Sequence, residues 1–141
     1  MEFFFQKNDK NNDELFRAIE HACDGLIYIS ETDAPMLPFA GQQVDAVTVE
    51  NILQQAGLPS DAVIEEKSFD EFFARLTTIR DWYGEKETER AKRFLELKML
   101  LEENLHDLKA FRIGTIRLDI FAVGINKDGT LMGVSTKAVE T

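Results

Sequence analysis

The side chains able to do acid–base, nucleophilic or metal chemistry are few in kind. The 141 residues hold two histidines, His21 and His106, and one cysteine, Cys23, beside 26 acids. His21 falls on the first helical segment and His106 follows the longest one, and neither has a carboxylate or cysteine ligand set beside it. Both read as surface or core residues rather than metal ligands. Cys23 lacks a Cys-x-x-Cys partner and sits on an apolar helix face, which makes it a packed thiol rather than a nucleophile. Gly114, Gly124, Gly129 and Gly133 lie in strand and hairpin segments, where they mark bends or bulges and not a phosphate-binding loop. Neighbouring acids such as Glu65-Glu66 and Glu102-Glu103 point apart on a strand or helix. The expectation is a binding protein, not an enzyme, with no cofactor and no metal of its own.

Charge gives a second clue. The net charge is −10, and no Lys or Arg occurs from Ala18 to Glu66, a stretch with nine acids. The rest of the chain carries 17 acids against 16 bases. Two readings stand: an ordinary solvated surface, or an acidic face that docks on a basic partner and is steered by its field. Direct nucleic-acid binding is disfavoured, because phosphates are repelled by such a surface. No run approaches the roughly 20 apolar residues of a membrane span. Phe3 to Phe5 is too short for a signal-peptide core. A lone cysteine forms no internal disulfide, which fits a reducing compartment. The expectation is a cytoplasmic protein without membrane contact.

The elements that must position any site are legible in part. Asp13 is placed to cap a first helix through Cys23, with Leu15, Phe16, Ile19 and Ala22 on one face. Leu26–Ile29 reads as a short buried strand and Ser30–Asp33 as a polar loop leaving it. Pro35 and Pro38 predict an irregular segment next. Thr48 opens a short helix closed by Gly57; Ala62–Ile64 reads as strand, and Ser68-Phe69-Asp70-Glu71 as a capping box. Thr77–Tyr83 is a loop with the lone Trp82, and a long helix spans about Glu85–Leu105. Strands follow at Ala110–Ile113, Thr115–Ile125 and Thr130–Ser135, the last two joined by the Asn126–Gly129 loop. Eleven Phe predict a Phe-rich core, and helices on either side of a small sheet are the natural assembly. Residues 1–13 are expected to be an N-terminal extension whose order the sequence leaves open, and residues 14–141 a single domain.

Three stretches carry a resemblance: Ala22-Cys23-Asp24-Gly25-Leu26-Ile27-Tyr28-Ile29-Ser30-Glu31, Thr77-Thr78-Ile79-Arg80-Asp81-Trp82-Tyr83, and Gly133-Val134-Ser135-Thr136-Lys137-Ala138-Val139-Glu140-Thr141. In this order and spacing they resemble the nuclease A inhibitor family, small cytoplasmic proteins that block a sugar-non-specific nuclease of DNA and RNA. The resemblance runs from about Glu14 to Thr141. It implies an α+β fold, a three-layer α/β/α sandwich with a small mixed sheet like that of plant PR-1 proteins. It also implies that Glu31, Trp82 and Thr141 contact the nuclease, and that Thr141 reaches the nuclease's metal. The segment Ala34–Gln43 departs from the family pattern, which bears on which nuclease is recognised.

The chemistry agrees with that carry-over. A nuclease without base preference binds phosphate with Arg and Lys and holds a hard divalent cation. Glu31 and Thr141 offer hard oxygen donors, and Trp82 offers the aromatic anchor that interface hot spots favour. The expected partner is therefore a metal-dependent, non-specific endonuclease, inhibited stoichiometrically. A rival is an acidic module of the same fold binding another basic protein, as the Ala34–Gln43 departure allows. A third is a metal enzyme, which calls for acids converging in one pocket.

Overall fold

The structure, a computed structural model, describes residues 11–141. The expectation for residues 1–10 lies outside the described residues. Helix α1 (Asn12–Cys23) begins under a reciprocal cap. The Asn11 side chain accepts from the Glu14 amide at 2.8 Å, and the Glu14 carboxylate accepts from the Asn11 amide at 3.3 Å. The cap is Asn11 and not Asp13, because this pair satisfies two orphan amides together. Asp13 instead lies in the first turn, where its charge suits the helix's positive end.

Strands β1 (Ile27–Ile29) and β2 (Asp33–Pro35) form a small antiparallel hairpin, and β3 (Leu37–Gln43) follows at once. The segment expected to be irregular is thus mostly strand. Prolines are tolerated there because β3 is an edge strand, so Pro38 has no missing ladder partner on its free side. Helix α2 (Val49–Gln55) is capped by Thr48, whose hydroxyl accepts from Asn51. Gly57, at φ 72°, terminates it.

Strand β4 (Ile64–Ser68) keeps only Ile64 of the expected Ala62–Ile64 strand and continues through Glu65, Glu66 and Lys67. A charged strand is stable there because β4 is the other edge. Helix α3 (Phe69–Thr77) starts on the Ser68–Glu71 capping box, and α4 (Glu85–Asn104) is the long helix.

Strands β5 (His106–Gly114), β6 (Arg117–Ile125) and β7 (Thr130–Val139) complete a five-stranded sheet in the order β3-β7-β6-β5-β4. Strands β5 and β7 each run further than their apolar runs suggested. β7 passes Ser135 to Val139 because its ladder with β6 persists from Leu131 opposite Ile125 to Val139 opposite Arg117. Every pairing is antiparallel, which corrects the expected mixed sheet. The hairpins joining β5, β6 and β7 force that orientation, and β3 and β4 then join the outer sides in the same sense.

The protein is therefore α+β, with four helices and two antiparallel sheets among the described residues. The five-stranded sheet has a core on each face. Ala110, Leu118, Ile120, Ala122, Met132 and Val134 pack against α1, α3 and α4. Phe111, Phe121, Val123, Ile125 and Leu131 turn the other way, onto α2 through Ile52 and Leu53. This is the period-2 alternation of a sheet buried on both sides. Phe69, Phe72, Phe73, Phe94, Phe111 and Phe121 are buried, the Phe-rich core anticipated from composition.

Candidate functional site

Glu31 sits in the turn between β1 and β2, and Ser30 shapes that turn. The Ser30 hydroxyl donates to the Thr32 carbonyl at 2.7 Å and accepts from the Val139 amide at 3.1 Å. The Glu31 amide in turn donates to the Val139 carbonyl at 3.3 Å. The turn is thereby stitched to the end of β7, more than a hundred residues away in sequence. Beyond Val139 the Glu140 amide reaches the Ile116 carbonyl at 2.9 Å, and then the chain leaves the sheet.

Thr141 meets Glu31 directly. Its amide donates to Oε2 at 2.7 Å, and its hydroxyl lies 3.0 Å from both Oε1 and Oε2. Both residues are exposed. A carboxylate that accepts from both the amide and the hydroxyl of one residue is held in one orientation, with oxygens from both partners presented at the same point of the surface.

Beside this pair lies a cavity of about 470 Å³ lined by Ile29, Ser30, Glu31, Glu65, Lys67, Arg75, Arg112, Val139 and Glu140. Three acids do meet in one cavity, but three cations alternate with them. Arg112 hydrogen-bonds Glu140 and lies 3.5 Å from Glu65, while Arg75 donates to the Tyr28 hydroxyl at 2.9 Å. Among the described residues no three His, Cys, Asp or Glu side chains are grouped to hold a metal ion.

Trp82 lies on the connection from α3 to α4. The Thr77 and Thr78 hydroxyls close the end of α3 by donating to the Phe73 and Ala74 carbonyls. A tight turn follows, with the Tyr83 amide on the Arg80 carbonyl at 3.0 Å. Trp82 emerges from it 74 % exposed, touching Tyr83 edge-on with ring centroids 4.8 Å apart. Tyr83, Ile27 and the start of α4 line a second cavity of about 810 Å³. The two cavities meet β1 two residues apart, at Ile27 and at Ile29; Trp82 lines neither of them.

The remaining reactive groups do not join them. Cys23 is buried, and desolvation pushes its thiol up to about 12 against the opposing pull of Arg93. His21 and His106 are exposed at the ends of α1 and β5. The nine acids of the base-free stretch are all exposed, but they do not form one face: Glu20 rides on α1 and Glu50 on α2, which cover opposite sides of the sheet.

A model of the family described as nuclease A inhibitor-like protein (NuiA) matches residues 13–141. The chain belongs to the nuclease A inhibitor-like family. Curated proteins yielded no match. The nuclease A inhibitor-like family gives this chain the general role of a nuclease inhibitor, with a nuclease as its protein partner. No helix among the described residues is long and apolar enough to cross a membrane.

Arg112 and Ser30 line the cavity beside Glu31 and are missing from the candidates read from sequence. A signal for Arg112 was available: it is the one charged residue in the strand expected at Ala110–Ile113, and an arginine held against a sheet needs partners. Ser30 offered none, since its partner, Val139, is distant in sequence.

Proposed function

We propose that this protein is a stoichiometric inhibitor of a metal-dependent, sugar-non-specific nuclease, and that Glu31, Thr141 and Trp82 contact the enzyme. The observation that carries the proposal is the meeting of Glu31 and Thr141, which gathers hard oxygen donors on an exposed corner. A nuclease cleft that binds phosphate oxygens with cations attracts such a corner. The oxygens of Thr141 are suited to replace a water on an octahedral Mg²⁺ belonging to the nuclease. Trp82, exposed on the connection from α3 to α4, acts as an aromatic anchor of the contact. The same reading includes a three-layer α/β/α arrangement of the PR-1 kind, supported by the two cores on opposite sheet faces, and a cytoplasmic location.

The test is inhibition of a Mg²⁺-dependent non-specific nuclease by three forms: intact, lacking Thr141, and extended after Thr141. The altered forms lose inhibition by about tenfold or more, as expected when a central charged contact is removed. Their melting temperatures stay unchanged, since Thr141 is exposed. Equal potency of the three forms overturns the role of Thr141. No inhibition of such nucleases, with capture of a different basic protein, turns the reading to its rival.

A further inference from the structure

We infer that Arg112 is a positioning residue, which aims Thr141 by gripping the residue before it. The inference rests on the reading that Thr141 contacts the nuclease. The β6–β7 ladder ends at Val139 opposite Arg117, and one further amide bond holds Glu140 to Ile116. Thr141 lies beyond the sheet, and its hydrogen bonds among the described residues go to the Glu31 carboxylate. That contact needs the amide and the hydroxyl aimed at one carboxylate together. Aim of this kind depends on the backbone angles of Glu140.

Arg112 sets those angles from the side. It stands on β5, two strands from β7 in the sheet, roughly 10 Å at the usual strand spacing. Its guanidinium donates through Nη2 to the Glu140 carboxylate, while Nε lies 3.5 Å from Glu65 on β4. The side chain is only 16 % exposed, whereas those of Glu140 and Glu65 are 43 % and 62 % exposed. A planar, forked donor held between two carboxylates has little rotational freedom. Two successive residues are thus fixed in two directions: Glu140 inward onto Arg112, and Thr141 outward onto Glu31. Lys67 and Arg75 line the same cavity, but Lys67 has no fork and Arg75 donates to the Tyr28 hydroxyl instead.

The experiment has two readouts. The first is the amide resonance and backbone order of Thr141 in the free protein, compared among wild type, Arg112→Met, Arg112→Lys and Glu140→Ala. In Arg112→Met and Glu140→Ala the Thr141 amide moves toward its random-coil position and loses order, and in Arg112→Lys it moves part of the way. The second is nuclease inhibition by the same proteins with and without Thr141. Arg112→Met and Glu140→Ala each weaken inhibition about tenfold, as expected for freeing an ordered chain segment, and their combination weakens it no further. Neither costs anything in protein already lacking Thr141. A Thr141 amide that keeps its position and order in Glu140→Ala overturns the inference, as does a loss of inhibition that persists without Thr141. A wild-type protein that inhibits no nuclease refutes the proposed function instead, and the amide readout still decides the grip.

Discussion

Replacing Trp82 by alanine separates folding from binding in a single residue. The ring is 74 % exposed, so about a quarter of it is covered in the free protein, chiefly by Tyr83. A Trp side chain presents roughly 200 Å², so the covered part is on the order of 50 Å². At about 25 cal/mol per Å² that burial stabilises the fold by ~1 kcal/mol, an upper figure given a partly compact unfolded chain. The melting temperature of Trp82→Ala therefore falls by only about 3 °C. The exposed remainder, roughly 150 Å², can contribute up to ~4 kcal/mol when covered by a partner. After the ordering cost of binding, a loss of at least about 2 kcal/mol, or some thirtyfold in Kd, is expected. The assay is a titration of nuclease activity beside a urea denaturation series. Trp82 is also the only tryptophan, so its own emission reports the contact: red in the free protein, moving to the blue on binding. A blue emission maximum before any partner is added, or a melting drop near 10 °C, refutes the exposed placement. An unchanged Kd refutes the anchor.

Glu31→Gln retains a carbonyl acceptor for Thr141 but loses the charge, so it raises the off-rate from the nuclease and flattens the salt dependence of inhibition; stopped-flow dissociation at two ionic strengths checks both. The Cys23 thiol ionises at its ordinary 9.0 in the unfolded chain and at about 12 in the fold. The folded state therefore holds the extra proton between those values: stability is unaffected below pH 9 and declines as pH rises toward 12, a decline that Cys23→Ala removes. Urea midpoints across that range measure it, and native Cys23 resists alkylation until the chain unfolds. At Gly133 an added Cβ stands 2.2 Å from the Ala122 carbonyl oxygen and 2.7 Å from the Val123 Cα, both backbone. Gly133→Ala forces β6 and β7 apart and costs about 1–3 kcal/mol, read as a lowered melting temperature.

Local signals named the local elements. Thr48, Ser68, Gly57 and the Asn126–Gly129 loop lie where their chemistry placed them, because capping and turn formation involve residues three or four apart. The strands were harder. Pro35 and Pro38 argue against strand in general, and only the sheet order reveals that β3 is an edge. Thr136 and Lys137 look like the start of a tail. Yet Thr136 is buried, with its hydroxyl on the Pro35 carbonyl at 2.9 Å, and the strand runs on past it. The site was the least legible of all. Glu31 and Thr141 stand 110 positions apart, and no spacing rule connects them; the family resemblance singled out both residues, and the fold alone shows them touching. Arg112 was visible as a misfit in an apolar strand, but its partners come from elsewhere, Glu65 from β4 and Glu140 from the segment just past β7.

The position of β7 also governs when the protein comes into being. In the five-stranded sheet β3 pairs with β7 alone, so the strand made early in synthesis waits for residues 130–139 before it has a neighbour. Sheets closed by such distant pairs fold slowly, because the loop must close before any contact rewards it. Until then β3 lacks its strand partner and lies open to other chains. The stitch between β7 and the Ser30–Glu31 turn accordingly arises late in assembly, together with the completed sheet. Proteolytic loss of the final strand would strip β3 of its only strand partner and undo the stitch to the Ser30–Glu31 turn in the same cut.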